Sequence, residues 1–135
     1  MRKEDIKLKD CYKLFIDGQW VESSDGATLE SVCPADGSVL AKFADASEQD
    51  VDKAVKAAQK AFVSWSQSTP KERAVILNKI ADIIDANQEE LAMIESLDNG
   101  KPIRETMAID VPYAAAHFRY FAGVILAVWR VQYSG

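Results

Sequence analysis

The sequence has little of what metal, redox or nucleotide chemistry requires. There is one histidine among 135 residues. A metal centre needs three or four ligands, and His117 has neither a neighbouring cysteine nor a Glu-x-x-His spacing to help it. His117 reads as a structural or surface residue. Cysteine is nearly as scarce. Cys11 and Cys33 do not make a secreted disulfide framework, which points to a reducing compartment. Cys33, between Val32 and Pro34, has no His or Lys beside it in sequence to activate it as a nucleophile, so it reads as a small buried filler.

Glycine is sparse and scattered. The six glycines, at 18, 26, 37, 100, 123 and 135, are isolated turn and cap residues. No phosphate-binding loop, dinucleotide fingerprint or Gly-x-Ser-x-Gly elbow can be drawn through them. Positive charge is short too: 16 basic against 21 acidic residues give a net charge of −5, with no basic run. That excludes a surface built for nucleic acid or an anionic membrane. Long apolar runs are missing as well. "GVILAV" is too short to span a bilayer, and "MRKEDIKLKDCYKLF" is too charged for the apolar core of a signal peptide. The expectation is a cytoplasmic protein with no membrane or nucleic-acid partner.

What is present is clear punctuation. "KLFIDGQWV" sets Asp17-Gly18 between β-forming residues, a strong hairpin signal. "ATLESVCP" and "SVLAKFA" flank a second turn at Pro34-Ala35-Asp36-Gly37. The first third is therefore predicted to be antiparallel β structure. Helices follow. Ser47 can cap one whose apolar residues Val51, Ala54, Val55, Ala58, Ala61 and Phe62 recur at helical spacing, its alanines implying close packing on a neighbour. Thr69, Pro70 and Glu72 form a capping box before Val75 to Ile84, and Asn87 with Glu90 repeats the device before Leu91. A short piece follows Pro102. A longer helix after Asp110 and Pro112 carries Ala114, Phe118, Phe121 and Ile125. The fold class is thus α+β, a short N-terminal antiparallel β layer followed by four or five helices. The early strands have no later strands to pair with, and such an edge is normally covered.

Two groupings resemble chemistry but read more simply. Glu89-Glu90 and Asp82 with Asp85 are expected on solvated helix exteriors. Tyr113, Phe118, Tyr120 and Phe121 are expected as a core stripe rather than a base-stacking platform. Asp98 is harder to place. In "ESLDNGKP" the helix end is explained by Asn99, Gly100 and Pro102, but a carboxylate there opposes the negative end of the helix dipole. Either it is a solvated acid or something positive sits beside it.

The order of "LFIDGQWVES", "PADGSVLAKFADASEQDVDKAVKAAQKAF", Trp65, "PKERAVILNKIADII", "ELAMIESLDNGKP" and "HFRYFAG" resembles the N-terminal region of the NAD(P)-dependent aldehyde dehydrogenase superfamily, over about residues 13–123. The resemblance implies an α/β family fold in which this segment supplies outer strands and helices around the cofactor-binding domain. It implies aldehyde oxidation to a carboxylic acid through a cysteine thiohemiacetal that passes hydride to NAD or NADP. The family's nucleophile, general base, oxyanion asparagine and Pro-Trp-Asn region all lie downstream. No catalytic or cofactor-binding residue is therefore expected here, and the isolated chain is expected to be inactive. Partners would be the remainder of the dehydrogenase or its subunits. The alternative is a small non-catalytic interaction module docking on a partner subunit.

The resemblance also implies that Asp98 holds a monovalent cation, often sodium, with the backbone carbonyls of Ser31 and Val32 and one further carbonyl from the downstream part of the family's fold. Tyr113 matches a position near the mouth of the substrate tunnel. Two departures accompany these matches. Cys33 stands where the family usually has Asn, and the tail "VILAVWRVQYSG" is apolar where the family continues with polar residues. The expected layout is a loose arm over 1–12, the family segment over 13–123 and a divergent apolar tail over 124–135, as in a truncated chain.

Overall fold

A computed structural model describes residues 6–132, with side chains described as far as residue 127. Residues 1–5 of the expected arm, residues 133–135 of the expected tail and the Trp129 side chain lie outside the described residues. The chain divides into two compact units. One comprises Lys7–Gln67 with Leu97–Gly100; the other contains Ser68–Ser96 and the chain from Lys101 onward.

In the first unit, β2 (Leu14–Ile16) and β3 (Gln19–Val21) form the hairpin predicted around Asp17-Gly18. Both turn residues have positive φ, 50° and 78°, the conformation of a type I′ turn whose twist matches its strands. Phe15 and Trp20 pair across the hairpin with ring centroids 5.0 Å apart. The second turn also forms where expected. Strands β4 (Thr28–Val32) and β5 (Val39–Ala44) run antiparallel around it, closed by the Gly37 N–H on the Cys33 carbonyl at 2.8 Å. A bulge falls between Ser31 and Val32.

One strand departs from expectation. Cys11 and Tyr12, read as the end of a loose arm, form β1 (Cys11–Tyr12), which pairs parallel to β5 in the order β1-β5-β4. Two residues carry no alternation pattern and their partner is 31 positions away, at Lys42 and Phe43, so local sequence gives no sign of the pairing.

Helix α1 (Glu48–Trp65) starts at Ser47 as predicted, in a full capping box with Asp50. Its apolar stripe is only partly covered. Val51, Ala54, Val55 and Ala58 line a groove with Leu14, Phe15 and Ile16, but Phe62 remains 64% exposed. The close packing expected of the stripe is not observed within the chain, Val51 and Val55 being 53% and 49% exposed.

In the second unit, α2 (Pro70–Ala86) has the predicted Thr69 and Glu72 capping box. The device expected at Asn87 is not formed. The Asn87 side chain turns back and donates to the Ile83 carbonyl at 2.7 Å, closing α2 instead of opening α3 (Gln88–Asn99). Only one residue separates the two helices, and the orphan carbonyls of α2 compete for it.

The piece after Pro102 is α4 (Ile103–Glu105), followed by a π-turn over Thr106–Asp110 and then α5 (Val111–Gln132). Residues 124–132 of the expected tail continue α5. The π-turn has a local cause. A proline in a regular helix lacks the N–H for the carbonyl four residues back and its ring collides with it; Pro112 would do both to Ala108. Widening the preceding turn relieves the conflict. It also aligns buried residues. Thr106 and Val111, five apart, would diverge by about 140° on a regular helix of 3.6 residues per turn. One π-turn brings them back toward the same side, and both are buried.

Helix α5 packs on α2 through small side chains: Ala74 and Ala81 on one, Val111, Ala115 and Ala122 on the other, all buried. The aromatic core stripe expected on α5 is therefore not observed. Tyr113, Tyr120 and Phe121 are each more than half exposed, because the alanines occupy the packed face. Asp82 and Asp85 are not simply solvated; Arg119 reaches both, at 2.8 and 2.6 Å. Among the described residues no helix is long and apolar enough to cross a membrane.

Candidate functional site

In the β-containing unit, the helix end that carries Asp98 meets the strand that carries Ser31. The Ser31 hydroxyl donates to the Asp98 carboxylate. Two residues on, Gly100 has φ +81°, and a Cβ built there would stand 2.9 Å from Pro34 Cγ. Glycine is required twice over at this corner, for its left-handed backbone and for the close approach of the proline ring. Cys33, beside Pro34, is 3% exposed and fills this region as the sequence suggested.

Thus the three residues expected around a cation, Asp98, Ser31 and Val32, include one direct contact, Ser31 to Asp98. The strand is bulged between Ser31 and Val32, and a bulge interrupts ladder pairing and leaves backbone groups available. The donors are oxygens with a single negative charge, which suits a hard monovalent cation. Among the described residues no group of three or more His, Cys, Asp or Glu side chains could hold a metal. Any ion at this corner would depend on backbone oxygen.

Asp50 is a second anchoring carboxylate in this unit, and one the sequence reading did not single out. It is 2% exposed and accepts from the Ser24 N–H at 2.9 Å, the Ser24 hydroxyl and the Ser47 hydroxyl at 2.8 Å. Lys53 Nζ closes the cluster, 2.8 Å from Ser24 Oγ and 3.3 Å from Asp50. The Ser24 hydrogen bonds, above all, hold the Asp50 carboxyl well below the usual carboxylate range. The available signal was "SEQD", a capping box with Asp at its fourth position.

In the helical unit Tyr113 stands on the exposed side of α5, 64% exposed. The His117 ring meets it edge-on, with centroids 4.2 Å apart, and donates from Nδ1 to the Tyr113 carbonyl at 2.8 Å. His117 is thus a surface residue that stiffens the helical turn beneath an exposed aromatic. Lys101 and Asp110 form an ion pair at 2.7 Å, and that hydrogen bond raises the lysine above its ordinary value.

The sequence profile of the aldehyde dehydrogenase family matches residues 20–130. The match reaches beyond residue 123 into the stretch read as divergent. A long-chain-aldehyde dehydrogenase of Acinetobacter sp. is 47% identical over 122 residues, covering 90% of this chain and 24% of the relative. Among solved structures, PnpE in complex with nicotinamide adenine dinucleotide superposes with a TM-score of 0.81 at 47% identity, over 83% of this chain and 23% of that one. An NAD-dependent aldehyde dehydrogenase from Sinorhizobium meliloti gives a TM-score of 0.81 at 40% identity, over 86% and 24% respectively. The chain spans about a quarter of the length of the relatives it matches.

Proposed function

The chain belongs to the aldehyde dehydrogenase family, and from that premise we propose that it is the N-terminal scaffold of an NAD-linked enzyme oxidising an aldehyde to a carboxylic acid. The observation that carries this reading is the pairing of high identity with partial coverage: 47% identity across 90% of this chain but only 24% of the relative. The packing agrees with it. The buried apolar residues are mostly alanines, while Phe15, Trp20, Phe62 and Val63 are each more than 60% exposed. Exposed apolar area of that kind is suited to cover by further polypeptide. The remainder of the dehydrogenase, or one of its subunits, is the partner with that role.

Within this scaffold Asp98 and the Ser31 and Val32 carbonyls hold a monovalent cation, sodium by preference. Such an ion would offset the carboxylate at the helix end. Tyr113 shapes entry of the aldehyde at the tunnel mouth; its exposure and its edge contact with His117 suit an aromatic held for contact with a substrate. The chain contributes no nucleophile, base or cofactor loop of its own.

The test is NADH formation from a panel of aldehydes. The full-length protein is expected to produce it and the 135-residue chain alone is not. Turnover by the short chain that disappears on mutating Cys11 or Cys33 would overturn the scaffold reading.

A further inference from the structure

The Met107 carbonyl lies where two helical hydrogen-bonding schemes both fail. In a regular helix it would receive the N–H of residue 111, but the Val111 N–H donates to the Thr106 carbonyl instead. In a continued π-turn it would receive the N–H of residue 112, which is Pro112 and has none. Gln88, the first residue of α3, supplies the missing donor: its side-chain Nε2 lies 2.8 Å from the Met107 carbonyl. One turn along α3, the Ala92 carbonyl accepts the hydroxyl of fully buried Thr106 at 2.8 Å. The same helix therefore grips the π-turn at two points.

Without the Gln88 amide the Met107 carbonyl has no donor, and because Pro112 still opposes a regular helix the turn loosens so that the carbonyl reaches water. That loosening weakens the Val111 N–H bond to the Thr106 carbonyl and shifts the backbone that leads into Pro112. The residue next to Pro112 is Tyr113. We infer that Gln88 is a positioning residue for Tyr113: its amide replaces the hydrogen bond that Pro112 cannot give and fixes the backbone from which the tyrosine projects. The inference rests on the reading of Tyr113 as a residue at the substrate entrance.

The experiment compares Gln88→Leu, Tyr113→Ala and their combination in the full-length enzyme, reading relative kcat/KM for long and short aldehydes. Gln88→Leu is expected to shift that ratio in the same direction as Tyr113→Ala and to add nothing in the Tyr113→Ala background. A Gln88→Leu enzyme that loses thermal stability but keeps the wild-type ratio, while Tyr113→Ala changes it, overturns the inference. If Tyr113→Ala itself leaves the ratio unchanged, the entrance reading fails, and hydrogen exchange at the Val111 amide decides the latch. Faster exchange in Gln88→Leu supports it; unchanged protection overturns it.

Discussion

The hydroxyl of Ser31, on a strand, donates to the carboxylate of Asp98, 67 residues later at the end of a helix. It joins that helix end to β4, and it involves an acid placed where helix electrostatics disfavour one. A cation at the corner would make the unfavourable placement useful.

Sodium is therefore expected to raise the melting temperature of the full-length protein relative to a bulky organic cation at equal ionic strength. Asp98→Ala should abolish the difference. Ser31→Ala should retain most of it, because its backbone carbonyl is unchanged, while losing about 1 kcal/mol or less for an exposed hydrogen bond. An equal response to sodium in wild type and Asp98→Ala would remove the cation from the corner.

Gly100→Ala is expected to destabilise the protein by at least about 1 kcal/mol, since it places a Cβ on a left-handed backbone and against the Pro34 ring. Adding Pro34→Ala should recover the steric part and leave the backbone part. Urea denaturation of the single and double variants separates the two; full additivity would mean that the ring contact is irrelevant.

Acid should loosen the Asp50 cluster. Its carboxyl is held below the ordinary value of 3.8 by its hydrogen bonds. The folded state therefore binds fewer protons than the unfolded one in this range. The resulting stability is present above about pH 4 and is lost as pH falls toward the lower folded value. Asp50→Asn should be less stable at pH 6 and lose less on going to pH 3, read as urea midpoints. Parallel acid profiles for the two proteins would contradict this.

Ala81 is completely buried and Ala122 nearly so, on the facing helices α2 and α5. Enlarging either to Leu should cost about 1–3 kcal/mol by forcing the helices apart. Ala114→Leu, on an exposed position of α5, should cost much less. Thermal denaturation distinguishes them, and equal effects would mean that the alanine faces are not tightly packed.

Local chemistry was readable where the chain punctuates itself. Asp17-Gly18 specified its turn because both positions take positive φ, and Ser47 and Thr69 specified helix starts because their hydroxyls bond within three residues. Reading failed where the outcome depended on competition or distance. Asn87 could serve the helix before or after it, and the unsatisfied end of α2 took it. Pro112 looked like a helix start, but helical residues precede it and the backbone widened around it. The parallel pairing of β1 with β5 depends on a distant partner. Of the candidate site, Asp98 stood out in its own sequence context and Ser31, Val32 and Tyr113 came from the family resemblance, while Gln88 and the buried Asp50 cluster emerged only from three-dimensional contact.

The uncovered aromatic residues carry a consequence for biosynthesis. In a polypeptide of its relatives' length, of which this chain would be about a quarter, Phe15, Trp20 and Phe62 would leave the ribosome long before the rest. At about 5–20 residues per second, translation of the rest takes on the order of tens of seconds. Throughout that interval these rings would stay open to any holdase near the ribosome. Crosslinking of stalled nascent chains should find chaperone at this segment until the downstream sequence has emerged, and then no longer.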